Sequence, residues 1–128
     1  MSSRHLIGLV LVSSVLCACA PAAPEVVRPA GSPTYAPTEY VALLDSAPAR
    51  AYQQIGVIEV TGEPGSFRAQ VLAQVTQQAQ KMGADAVILQ DVSRAAPAAT
   101  RLNPTTGTYD STGGQLIPAF KGIAIKYR

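Results

Sequence analysis

The chain has 128 residues, with ten Lys and Arg against eight Asp and Glu, for a formal charge of +2. Its cations, from Arg28, Arg50 and Arg68 through Lys81, Arg94 and Arg101 to Lys121, Lys126 and Arg128, are scattered, which excludes the clustered basic face of a nucleic-acid binder. It contains one histidine, two cysteines and no tryptophan, and the places where these fall narrow the chemistry further.

Met1 to His5 (MSSRH) is short and basic, and Leu6 to Leu16 (LIGLVLVSSVL) is an uncharged run of eleven residues. As a helix that run is about 16 Å long, roughly half of what a hydrocarbon core about 30 Å thick requires. A basic start, a short apolar centre and small residues after it are the features of a secretory signal peptide, expected over residues 1–18.

Cys17 and Cys19 follow, separated only by Ala18. That spacing does not easily reach disulfide geometry. A metal site needs three or four converging ligands, and no third cysteine is present to help. Leu16-Cys17-Ala18-Cys19 resembles the bacterial lipobox, with a Leu three residues before the modified Cys and small residues between. The resemblance implies that Cys19 is the lipid-attachment site and the first residue of the mature chain, and that Cys17 leaves with the signal. Ala20 follows Cys19 where Asp would favour inner-membrane retention, so the implied location is the outer membrane, facing the periplasm. Several acyl chains on one sulfur, at about 0.8 kcal/mol per buried methylene, make such attachment permanent.

Removing residues 1–18 also removes Arg4 and His5. The remainder has no histidine and no thiol beyond Cys19. This excludes Cys-His and Ser-His-Asp nucleophilic chemistry and a nitrogen–sulfur zinc site. The expectation is a protein that is not an enzyme, with no catalytic residue, no metal and no cofactor.

Residues 19–38 read as a lipidated linker, because Pro21, Pro24, Pro29, Pro33 and Pro37 rule out a helix or a central strand there. Fully stretched, it would reach on the order of 60 Å. The domain is expected over residues 39–128. Tyr40 to Leu44 (YVALL) predicts a short strand, and Tyr52 to Thr61 (YQQIGVIEVT) a longer one that Gly56 marks for a bulge. Phe67 to Met82 predicts a helix, with Val71, Leu72, Val75, Ala79 and Met82 on one face, Ser66 as its N-cap and Gly83 as its left-handed stop.

Ala86 to Leu89 (AVIL) is apolar throughout, as in a central strand covered on both faces. Strand, helix and strand in succession predict a crossover between parallel strands. Ser93 to Ile117 has no periodicity and is expected as a flexible loop or a loose hairpin. In Ala119 to Tyr127, Ile123, Ile125 and Tyr127 alternate with Gly122, Ala124 and Lys126, which predicts a closing strand. Tyr52, Phe120 and Tyr127 are expected at sheet edges.

The predicted fold is therefore α+β: a small mixed sheet of about four strands with one helix packed on a face, in the order β-β-α-β-β. Its ordered part, about 65 residues, would bury only about 60% of its unfolded surface. Packing on a partner, or self-association into a homo-oligomer, follows as an expectation.

Ile55-Gly56-Val57-Ile58, the stretch Met82 to Ile88 (MGADAVI) and Gly122-Ile123-Ala124-Ile125 together resemble a clan of small α/β domains. The clan includes the YbjQ-like heavy-metal-binding family, proteobacterial lipoproteins of unknown function and the Rcs envelope-stress sensor lipoprotein. The resemblance covers about half of the expected domain and implies a small mixed sheet with a helix. The cysteine pairs of the stress sensor have no counterpart here, and the mature chain has no Cys or His for a heavy metal.

Two functions follow as expectations. The first is a periplasm-facing interaction, structural or sensor module, held to the membrane by its lipid and docking an envelope protein or the cell wall. The second is a small oligomeric ligand- or cation-binding domain. Its oxygen donors would come from Asp45, Glu59, Glu63, Asp85 and Asp91, the ligand type suited to Ca²⁺ or Mg²⁺. Tyr109, inside the 93–117 stretch, is the aromatic singled out as a contact residue.

Overall fold

The computed structural model describes residues 23–128. The expected signal peptide, Cys17 and the expected lipid-attachment residue Cys19 lie outside the described residues.

The domain is α+β, with one helix and a main sheet of five strands. In chain order these are β1 (Glu25–Val27), β2 (Ala42–Leu44), β3 (Tyr52–Thr61), α1 (Arg68–Met82), β4 (Ala86–Asp91) and, after four short strands, β9 (Ala119–Tyr127). Across the sheet the order is β1-β3-β9-β4-β2. The expected crossover is present, since β3 and β4 both run antiparallel to β9 and therefore parallel to each other. They are not neighbours, because the last strand lies between them. β9 is thus the middle strand, β4 is interior with Ala86, Val87 and Ile88 buried on its two faces as expected, and Phe120 on β9 is 4% exposed instead of lying at an edge.

The bulge falls where Gly56 predicts it. Gln54 pairs with Ile125 and Gly56 with Ala124, which leaves Ile55 as the extra residue. Ile55 enters the main core, and a Cβ on Gly56 would meet the Met82 methyl group.

Helix α1 covers one face. Val71, Val75, Ala79 and Met82 are buried against Ile58 and Val60 of β3, Val87 of β4, and Phe120 and Ala124 of β9. Each Val or Ile so enclosed contributes about 1.5–3 kcal/mol. Leu72 is only partly buried. The opposite face carries a second cluster, in which Ala86, Ile88 and Ile125 pack with Ala42, Leu44, Tyr52, Ile123 and Tyr127. Strand alternation separates the two clusters, with Phe120, Gly122 and Ala124 toward the helix and Ile123, Ile125 and Tyr127 away from it.

Two local expectations are corrected. The N-cap is Phe67, with no side-chain cap, because Ser66 is taken up in the turn that follows β3, where its N–H and hydroxyl donate to the Glu63 carbonyl at 3.0 and 2.7 Å. From Glu25 onward the proline-rich stretch is not a free linker. Glu25, Val26 and Val27, between Pro24 and Pro29, pair with Glu59, Ile58 and Val57 as an edge strand. Further on, Thr38 donates its N–H to Gln80 O at 3.0 Å and its hydroxyl to Ala84 O at 2.8 Å. The physical reason is that prolines bar a central position but leave an edge open to a proline-free triplet.

Residues 93–117 form a hairpin. Within it, β5 (Arg94–Ala95) pairs with β8 (Leu116–Ile117), and β6 (Ala99–Leu102) with β7 (Tyr109–Thr112). With β4 and β9 they make one long antiparallel excursion of the chain, whose far half leaves the sheet.

Candidate functional site

The arm from Arg94 to Ile117 is the part of the molecule that no core explains. It continues from β4 and β9 through the Val92 N–H, which donates to Ala119 O at 2.9 Å. Ala96 N–H then donates to Gln115 O at 2.7 Å. The tip is closed by Asn103, whose N–H donates to Thr108 O at 2.8 Å and whose Oδ1 accepts from Thr105 N–H at 3.0 Å. Asn103 Nδ2 also donates to Asp110 Oδ2 at 3.0 Å. An Asx turn of this kind is why an Asn-Pro-Thr-Thr-Gly sequence bends the chain back on itself.

Two-stranded ribbons are marginal in water on their own. This one is tied at its base to the turn after β3, where the Gly65 N–H donates to Leu116 O at 2.8 Å, and it nevertheless leaves Leu102, Tyr109 and Leu116 exposed. Leu102 and Tyr109 face each other across the ladder, as do Arg101 and Asp110. The tip therefore carries an apolar–phenolic pair and, one residue along each strand, a charge pair on the other face. A groove of about 560 Å³ runs between Pro64 and the arm residues Ala96, Pro97, Ser111, Gly113 and Gln115. A second, of about 480 Å³, lies at the tip beside Arg101, Leu102, Pro104 and Asp110. The first is lined by small and uncharged groups, which suit contact with a surface better than chemistry on a substrate.

The expected oxygen donors are dispersed. Asp85 Oδ1 takes Lys126 Nζ at 2.8 Å and its Oδ2 accepts the Tyr127 N–H at 2.9 Å. Burial pushes its carboxyl up, but the hydrogen bonds from Lys126 and Tyr127, with the charges of Lys126 and Arg50, outweigh it and leave the group below its ordinary value. Asp91 lies at the other end of β4, where hydrogen bonds from Ser93 and then from Arg68 hold its carboxyl down to about 2. Arg68 Nη1 is 2.6 Å from Asp91 Oδ2, with its guanidinium 4.9 Å from the centre of the Phe120 ring. Glu59 pairs with Lys121 at 3.0 Å. Glu63 uses its carbonyl in the turn after β3, and Asp45 follows β2.

Glu59, Asp85 and Asp91 thus each face a cation of the protein itself. Among the described residues, no three His, Cys, Asp or Glu side chains gather where they could hold a metal ion. Nor is any helix among them long and apolar enough to cross a membrane.

Tyr109, picked out in the sequence, sits at the arm tip and is 73% exposed. Its partner Leu102 was not picked out. Its signal was register, since a lone Leu after Ala98-Ala99-Thr100-Arg101 carries no pattern until the opposite strand is known.

No family model, no curated protein and no solved structure matches the chain.

Proposed function

We propose that this chain is a periplasm-facing lipoprotein of the bacterial outer membrane, anchored through Cys19, that works as a non-enzymatic interaction module. Its contact element is the hairpin arm. The observation that carries this reading is that, among its described side chains, the Arg94–Ile117 ribbon buries none and exposes Leu102, Tyr109 and Leu116, beside a sheet whose own core is closed. A chain gains nothing in stability by holding an isolated ribbon with Leu102 and Tyr109 in water. Its persistence is accounted for by a surface that it meets.

The sequence around Cys19 supports the anchor, and the absence of His and of any second thiol from the mature chain supports a role without nucleophilic chemistry. The ion pairs of Glu59, Asp85 and Asp91 give the cation-binding alternative no free carboxylate at those three positions.

Two measurements test the reading together. Palmitate labelling of growing cells is expected to mark the wild type and to leave Cys19→Ala unlabelled. A photo-crosslinking residue at position 109 is expected to capture an envelope component in intact cells, whereas one at position 40, also exposed, captures none. Label on Cys19→Ala, or equal capture from both positions, overturns the reading.

A further inference from the structure

Strand direction decides where the anchor can lie. Glu25 pairs with Glu59 and Val27 with Val57, so the chain enters β1 from the end of the sheet where β3 finishes at Thr61 and β9 begins at Ala119. The arm leaves from that same end, its first rung pairing Arg94 with Ile117. Cys19 precedes Glu25 by six residues, and six steps of extended chain span at most about 22 Å.

Glu59, opposite Glu25, pairs with Lys121 on β9, and Ile117 lies four residues before Lys121. That is about 13 Å along the strand and about 10 Å across two strand spacings. The base of the arm is therefore about 16 Å from Glu25, within the tether's length. Because Tyr109 lies eight residues from Ile117, up to about 26 Å further on, the tether allows the arm to lie along the leaflet and not to stand on its tip. The proline-rich stretch cannot act as a spacer on the order of 60 Å, because from Glu25 onward it is bound to the domain.

We infer that the Arg94–Ile117 hairpin docks on the bilayer leaflet that holds the Cys19 lipid. This rests on the lipoprotein reading above and names the surface that the arm meets. The chemistry of the arm fits a headgroup layer. Between residues 93 and 117 only Arg94, Arg101 and Asp110 carry charge, so little is desolvated on approach. Leu102 and Tyr109 stand side by side at the tip, 53% and 73% exposed, and a tyrosine places its ring at the boundary with its hydroxyl in water. Arginines extend their charge toward anionic headgroups while their stems lie on apolar surface.

The opposite end of the sheet, with Arg50, Tyr52, Asp85, Lys126 and Tyr127, then faces away from the membrane. Tyr40, two residues before β2, belongs to that end and is 79% exposed.

The chain contains no tryptophan, so Tyr109→Trp introduces a single fluorophore at an exposed position. The full lipidated chain carrying it is reconstituted into vesicles of phosphatidylethanolamine and phosphatidylglycerol, with the intact mass recorded. Phospholipids brominated near the headgroup are expected to quench it at least twofold more than they quench the Tyr40→Trp variant. With lipid present on Cys19, equal quenching of the two variants overturns the inference and leaves the anchor standing. Shielding of the Tyr109→Trp fluorophore only after other envelope proteins are added assigns the arm to a protein and also overturns it. An unmodified Cys19 in the mass spectrum removes the lipoprotein reading and this inference together.

Discussion

Lys126 Nζ lies 2.8 Å from Asp85 Oδ1 and 3.1 Å from the Gly83 carbonyl oxygen, so one side chain of the last strand clamps the turn between α1 and β4. The Tyr127 N–H completes the clamp on Asp85 Oδ2 at 2.9 Å. The pair is only partly exposed, at 27% for Lys126 and 31% for Asp85, and it is the polar seal at the end of the sheet away from the arm.

The clamp makes stability depend on acid. Asp85 is held below its ordinary value when folded, and Asp91 is held down to about 2. A carboxyl depressed on folding contributes stability that is complete above the unfolded value, near 4, and is lost as pH falls through the folded one. Urea unfolding at pH 7 and at stepped values from about 4.5 down to about 2 should show a falling midpoint in the wild type. Asp85→Asn should be less stable by about 1 kcal/mol at pH 7 and show a shallower decline. An unchanged acid slope in Asp85→Asn/Asp91→Asn would remove these groups as the cause.

Gly83 should tolerate no side chain. Its φ is +75°, and a Cβ there would strike the Ala36 carbonyl oxygen and lie 2.6 Å from the Tyr35 Cβ. Gly83→Ala should cost about 2 kcal/mol, from the left-handed backbone and the displaced contact. Because the clash falls on residues 35–36, amide exchange at Thr38, whose N–H bonds Gln80 O at 3.0 Å, should quicken more than that at Val75. Equal acceleration at the two sites would mean that the glycine acts on the helix alone.

Core and arm should respond to truncation on different scales. Ile58 and Val75 are both 0% exposed between helix and sheet, and Ile58→Ala should cost about 2–4 kcal/mol. Leu102→Ala, on the exposed ribbon, should fall within about 0.5 kcal/mol of wild type. Chemical denaturation of the two variants side by side decides this. A large loss from Leu102→Ala would show that the arm supports the fold.

The arm should also be removable. Ala95 and Leu116 are direct partners in the β5–β8 ladder, so replacing residues 96–115 with Asn-Gly closes a two-residue hairpin across that rung. The shortened chain should unfold cooperatively within about 1 kcal/mol of wild type, because every buried core residue lies outside the deleted stretch. Its capture of envelope material in crosslinking should disappear.

What could be seen in the sequence was local. The Val71, Val75, Ala79 and Met82 stripe, the Gly83 stop and the bulge beside Gly56 each depend on residues a few positions apart, and the structure has all three. The N-cap at Ser66 failed because Ser66 belongs to the turn after β3, its N–H and hydroxyl both donating to Glu63 O, which leaves Phe67 at the cap position. The count of four strands fell one short in the main sheet because Glu25-Val26-Val27 is too short to stand out among prolines. Three residues become a strand only when a neighbour offers them an edge.

By itself, the sequence determined a basic, apolar and small-residue N-terminus ending at Cys19, an apolar helix face, and alternating strands, because each is a pattern of composition or period along the chain. Tertiary structure alone decided that β9 inserts between β3 and β4, that β1 is recruited from the proline-rich stretch, and that the start of β1 and the base of the arm share one end of the sheet. Backbone hydrogen bonds are alike for every residue but proline, so which strands meet is settled by the packing of distant side chains such as Ile58, Val87 and Ala124 around Val75.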